Sequence, residues 1–153
     1  MFSRTIAVGF LFAVGSLVAG ADPSVGTWKL NIGKSKFNPG PPPQSVTLIY
    51  EASGTGVKRS GETIDSTGAK TSWGYTAEYD GKDYTVTGNP NADMISLKKV
   101  NDRTVDATLK KGGKVVTHAR RVVSADGKTL TLTIKGKNEK GQNVDNVHVY
   151  DKE

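Results

Sequence analysis

From Ser45 to Tyr150 the chain runs in short segments of alternating apolar and polar residues, cut at near-regular intervals by turn residues. The cuts fall at Asp65-Ser66-Thr67-Gly68, Asp80-Gly81, Asn89-Pro90-Asn91, Asn101-Asp102, Lys111-Gly112-Gly113, Asp126-Gly127 and Lys140-Gly141. Each supplies a residue that tolerates positive φ or one that bonds its own backbone, as tight hairpins require. Successive side chains of a strand point to opposite faces, so every such segment has one face that needs cover.

The faces can be read in order. Trp28, Leu30 and Ile32 share one face of a first strand over 25–32, and Val46, Leu48 and Tyr50 share one face of the next. Residues 57–64 are weakly amphipathic around Gly61. Trp73, Tyr75, Ala77 and Tyr79 line up, followed by Tyr84 with Val86, Ile95 with Leu97, and Val105, Ala107 and Leu109. Residues 114–124 are ambiguous, with valines on both faces, whereas Leu130, Leu132 and Ile134 alternate cleanly with threonines. In the last strand, 144–150, Val147 and Val149 oppose Asn146, His148 and Tyr150.

Apolar spacing of three and four residues is nowhere sustained, so almost no helix is expected beyond the first twenty-odd residues. About ten strands joined by short hairpins predict an all-β domain, a single antiparallel up-and-down barrel whose closure removes exposed edges. A two-sheet β-sandwich is the alternative. Ten strands enclose more room than the eight that side chains can just fill, and Ala77, Val86, Val105 and Ala107 are modest in size, so an internal cavity is expected. Residues 33–43 carry Pro39, Pro41, Pro42 and Pro43. With φ locked and no donor on these residues, the segment reads as an extended strap across one end, neither helix nor ladder strand.

The first residues read differently. Arg4 precedes an apolar run over 6–18, and Ala19-Gly20-Ala21 has the small-x-small pattern of a signal-peptidase site. The run is too short to span a bilayer core of about 30 Å as a helix. The expectation is a leader over 1–21 and a mature domain over 22–153, secreted or periplasmic. The chain has no cysteine, which excludes disulfides, thiol chemistry and cysteine-ligated metals. Its net charge of +6 at pH 7 would invite nucleic acid in a cytosolic protein. For an exported one it points instead to weak contact with anionic envelope polymers or lipid. No nucleic-acid partner is expected, and the protein is read as a monomer.

Candidate chemistry is sparse. Trp28, Tyr50, Trp73, Tyr75, Tyr79, Tyr84 and Tyr150 hold both tryptophans and all five tyrosines. On an inner face they form either a plain core or the lining of an apolar pocket with polar tips. Arg120 and Arg121 adjoin, so a regular strand turns one inward, and period two groups Arg121 with Thr117, Ala119 and Val123. A buried arginine needs an anion, from the protein or from a ligand. His118 and His148, the only histidines, have no zinc-like spacing. Asn89-x-Asn91-x-Asp93 lacks the glycine and closing glutamate of a calcium loop and reads as a turn. Gly54-Thr55-Gly56 precedes no helix, so it is no phosphate cradle. Lys110, Lys111, Lys114, Lys135, Lys137 and Lys140 gather near two adjacent turns as a solvated basic face.

Gly26-Thr27-Trp28-Lys29-Leu30 resembles the opening strand of the fatty-acid-binding proteins, and its Gly-x-Trp core resembles the first lipocalin motif. His148-Val149-Tyr150-Asp151-Lys152 is similar to the closing strand of the fatty-acid-binding proteins, with His148 where their Arg-x-Tyr has arginine. The leader, this start, the strap and the Asp-Gly-Lys turns together resemble small exported lipocalin-like bacterial proteins. The resemblance implies a calycin-type barrel, with Tyr150 and Arg121 or Arg120 near a ligand carboxylate. It departs from the family where the strap replaces the helical lid.

The combined expectation is a binding protein with no enzymatic activity, no cofactor and no metal. It would hold a small apolar or amphipathic, fatty-acid-like ligand, with Trp28, Tyr50, Trp73, Tyr75 and Tyr84 lining the site and Arg121 and Tyr150 at its polar end. The alternative is a cell-envelope interaction or structural module with a filled barrel and a basic outer face. An enzyme at the barrel mouth would need His118 or His148 in a cleft beside a carboxylate.

Overall fold

Ten antiparallel strands close into one barrel in the computed structural model, which describes residues 21–153. The expected leader, apart from its last residue, lies outside the described residues. The strands are β1 (Gly26–Leu30), β2 (Ser45–Ser53), β3 (Gly56–Ile64), β4 (Lys70–Ala77) and β5 (Tyr84–Thr87), then β6 (Met94–Asn101), β7 (Thr104–Lys111), β8 (Lys114–Val123), β9 (Thr129–Lys137) and β10 (Asn143–Lys152). Each pairs with the next, and β1 closes the ring by pairing with β10 through Trp28↔Lys152 and Leu30↔Tyr150. This is the up-and-down barrel of the alternating pattern, and not the two-sheet sandwich.

The turns follow their chemistry. Between β7 and β8, Gly112 and Gly113 both take positive φ (56° and 81°), which a two-residue hairpin of this hand needs and a side chain would oppose. The ambiguity of 114–124 also finds its cause. The β7–β8 register shifts between Leu109 and Lys110, so that Leu109 faces Thr117 while Lys110 faces Val115. A β-bulge inserts one residue and switches the phase of the alternation. Valines therefore stand on both faces, and beyond the bulge Arg121 is buried while its neighbour Arg120 pairs with Asp106 in solvent.

Two boundary expectations change. The first strand stops at Leu30, and Ile32 starts a 3₁₀ turn (Ile32–Lys34) capped by the Asn31 side chain, leaving Ile32 exposed. The strap is also not wholly free of ladder bonds. Lys36 and Val147 exchange both backbone hydrogen bonds (2.8 and 2.9 Å), and the Asp145 N–H donates to the Asn38 carbonyl. Residues 36 and 38 precede the prolines and keep their donors, so they extend the pairing of β1 along β10. Only from Pro39 onward does the chain leave the ladder.

The core has two unequal ends. The lower end carries residues 22–25, and Trp28, Leu48, Val57, Leu97 and Leu130 are almost wholly buried. Each such large apolar side chain contributes about 1.5–3 kcal/mol by leaving water. The upper end carries the strap and the loop over 88–93.

Candidate functional site

Inside the upper half lies a cavity of about 390 Å³, within the size range of small-molecule sites. Its walls come from the inward faces of several strands: Ile95 and Leu97 from β6, Ala107 and Leu109 from β7, Ala119 from β8, Leu132 and Ile134 from β9. Small residues at 107 and 119 leave room that bulkier ones would fill. Tyr50, Trp73, Tyr75 and Arg121 line this space, and residues 89–92 stand at its mouth. A second recess of about 420 Å³ lies beneath the strap, with Phe37, Pro39 and Pro41 on one side and Asn146, His148 and Tyr150 on the other. Arg59, Thr63, Trp73, Leu132 and Ile134 belong to both walls, so the two spaces adjoin.

The aromatic residues of the sequence reading are thus divided. Tyr50, Trp73 and Tyr75 line the cavity, and Tyr150, with 2 % of its surface exposed, lines the recess. Trp28 lines neither. It is fully buried at the floor, and its indole N–H donates to the Ser24 carbonyl at 2.8 Å. Tyr84 lies outside both spaces as well, its hydroxyl donating to Asp80 at 2.7 Å.

Arg121 is buried and answered. A guanidinium N–H donates to the Tyr79 hydroxyl at 2.7 Å, and that hydroxyl donates to the Asp22 carboxylate. Burial works against the Asp22 charge, but hydrogen bonds from Ser24 and Tyr79 and the charge of Arg121 outweigh it and hold the carboxyl below its ordinary value. Burial, above all, pushes the Tyr79 phenol up to about 12, so it stays protonated and able to donate. The Arg121 guanidinium also sits 4.8 Å from the centre of the Tyr50 ring. Residues 22–25 thereby seal the lower end and bring the countercharge with them.

Arg59 is buried and unanswered. Its side chain projects inward from β3 between Val57 and Gly61, with 6 % of its surface exposed. The guanidinium carbon stacks 3.4 Å above the Trp73 ring, and one N–H donates to the Trp73 carbonyl at 2.9 Å. Trp73 stands directly across the ladder from Gly61. A Cβ at Gly61 would come within 2.9 Å of the guanidinium, so glycine makes the space in which the group lies flat. Among the described residues no carboxylate forms an ion pair with Arg59. A cation–π contact contributes about 0.5–2 kcal/mol and a hydrogen bond to a charged group about 1.5–3 kcal/mol. Desolvating an ion costs several kcal/mol, and no opposite charge among the described residues adds to these two contacts.

Sequence reasoning missed Arg59, although a signal was present. Period two from Val57 places residue 59 on the inward face, and an arginine there between two small or apolar positions is conspicuous. The weak amphipathicity of 57–64 hid it.

The histidines separate too. His118 is exposed on the outside, with its Nδ1 3.5 Å from the Thr108 hydroxyl. His148 faces inward, with Nδ1 3.3 Å from the Tyr150 hydroxyl and its ring 5.0 Å from that of Phe37. Its Nε2 is buried and has no hydrogen-bond partner. Burial lowers the His148 pKa to about 4, leaving it neutral near pH 7. No cluster of three potential metal-ligating side chains occurs among the described residues. The asparagines of the 88–93 loop bond backbone instead: Asn89 accepts from the Asn91 N–H and Asn91 from the Glu139 N–H.

No family model matches this chain, and no curated protein is similar to it in sequence. The architecture is that of an all-antiparallel ten-stranded barrel, compatible with a calycin-type fold.

Proposed function

We propose that this protein binds a small amphipathic molecule inside its barrel and has no catalytic role. The observation that carries the reading is a largely apolar cavity of about 390 Å³ with buried arginines on its wall. The cavity favours this reading over that of a filled barrel serving as a purely structural module. Burial of the ligand's apolar body would supply most of the affinity, and the polar tips of the wall would orient it. The resemblance of the first and last strands to fatty-acid-binding proteins and lipocalins supports the same reading. Neither histidine hydrogen-bonds a carboxylate: His148 faces a phenol, and Asp106, which lies near the exposed His118, is held by Arg120. The leader-like first residues support binding outside the cytosol, and the proposal includes a monomer whose basic face makes weak contact with anionic envelope surfaces.

The test is a titration of the purified, delipidated protein with a dansyl-labelled fatty acid. Saturable blue-shifted emission at about one probe per chain is the expected result, reversed by unlabelled long-chain competitors. No saturable binding across fatty acids, alcohols and other amphiphiles would overturn the reading.

A further inference from the structure

The two adjoining spaces differ in what their walls offer. The main cavity is mostly apolar; of its two buried charges, Arg121 is already linked to Asp22, and Arg59 stands on the wall shared with the recess. The strap recess instead gathers polar groups with unspent capacity: the Arg59 guanidinium, the orphaned Nε2 of His148, and the hydroxyls of Tyr150 and Thr63. If Tyr150 donates to Nδ1, the neutral imidazole carries its proton on Nε2, and this buried N–H then lacks an acceptor. A cation with no ion pair and a donor without an acceptor thus line the same recess from different strands, while the one carboxylate in its lining, Asp65, accepts from Thr67 and Ala69 in its own turn. A buried polar group left unpaired is costly, and here the two deficits are complementary to one ligand group.

We propose that the recess beneath the proline strap is a carboxylate site: Arg59 binds the head group of the ligand there, and its apolar body passes the shared wall at Trp73 into the main cavity. The inference rests on the reading of the barrel as an amphiphile-binding site, and deepens it by naming the class and the orientation. One unmatched cation answers one negative charge, which a carboxylate brings and a phosphate dianion exceeds. The planar guanidinium fork matches two carboxylate oxygens. Arg121, the residue singled out by the resemblance, is in this assignment a structural cation of the floor. The strap prolines and Phe37 flank the head group on one side.

The experiment is competition by laurate and by dodecanol against a bound dansyl fatty acid, in the wild type, Arg59→Met and Gly61→Ala. A charge-assisted hydrogen bond of the usual strength corresponds to about tenfold to a hundredfold in affinity. Wild type is expected to prefer laurate over dodecanol by that factor. Arg59→Met loses the preference by weakening laurate while leaving dodecanol unchanged. Gly61→Ala keeps the charge but displaces the guanidinium, and weakens laurate several-fold. Laurate, and not dodecanol, also moves the ring-nitrogen resonance of His148. If the wild type binds neither compound, the barrel reading itself fails. If it binds both but Arg59→Met retains the full preference, or the His148 signal ignores laurate, the carboxylate site is wrong while the barrel reading stands.

Discussion

The barrel buries two arginines, and the two ends of the molecule treat them in opposite ways. At the lower end Arg121 reaches Asp22 through Tyr79, so the charge is balanced by the chain itself and residues 22–25 become part of the fold. Toward the strap, Arg59 has an aromatic face and one carbonyl, and the nearby His148 has an orphaned nitrogen. A buried charge that the chain satisfies is an element of stability. One that it leaves unmatched is what the proposed carboxylate site answers, since an apolar residue there would serve stability as well or better.

The contrast is broken most severely at the floor. Trp28→Ala empties a fully buried indole and leaves the Ser24 carbonyl without its donor. A loss of about 3–5 kcal/mol is expected in urea unfolding, with the slope of the transition unchanged. Asp22→Asn removes the countercharge of Arg121 while keeping the shape. It should cost about 1–3 kcal/mol, and Arg121→Met combined with it should cost less than the sum of the two single changes.

Acid separates the ends in order. The folded-state pKa of His148 is depressed to about 4, so the unfolded chain takes up a proton that the native state refuses. Stability is therefore full above about pH 6.5 and declines as the pH falls from there toward 4. Asp22 is also depressed, which for a carboxylate means that its contribution is present above the ordinary value of 3.8 and is lost only below it. Urea midpoints at pH 7, 5 and 3.5 should show a first decline that His148→Phe abolishes, and a second that it leaves in place. A single decline confined to below pH 4 would put the burial of His148 in question.

Much of the fold was legible in the pattern because period-two alternation and positive-φ turn residues are both local. Gly112-Gly113 and Leu130-x-Leu132-x-Ile134 announce a hairpin and a strand without reference to anything distant. The bulge opposite Leu109 was legible only as ambiguity, since one inserted residue flips the phase and a sequence window averages across it. Pairing of Lys36 with Val147 could not be read at all, because it depends on where a strap with no periodicity of its own comes to rest. The site was read in part for the same reason. Inward aromatic positions follow from alternation, but the difference between Trp28 as floor and Trp73 as cavity wall depends on position along the barrel axis. So does the difference between Arg121 and Arg59. What makes the first structural is Asp22, almost a hundred residues away in the chain and joined to it only in the closed barrel.

The most direct test of that difference is the thermal unfolding midpoint of Arg59→Met beside the wild type, each without and with excess laurate. Without laurate the variant should unfold within about 1 kcal/mol of the wild type or later, since an unmatched buried charge is replaced by an apolar side chain of similar length. A ligand at a hundred times its dissociation constant stabilises a folded protein by about 2.7 kcal/mol, so laurate should raise the wild-type midpoint by several degrees and the variant's far less. A variant that is markedly less stable without laurate, and gains as much from it as the wild type, would show Arg59 to be an ordinary structural residue and would contradict the account.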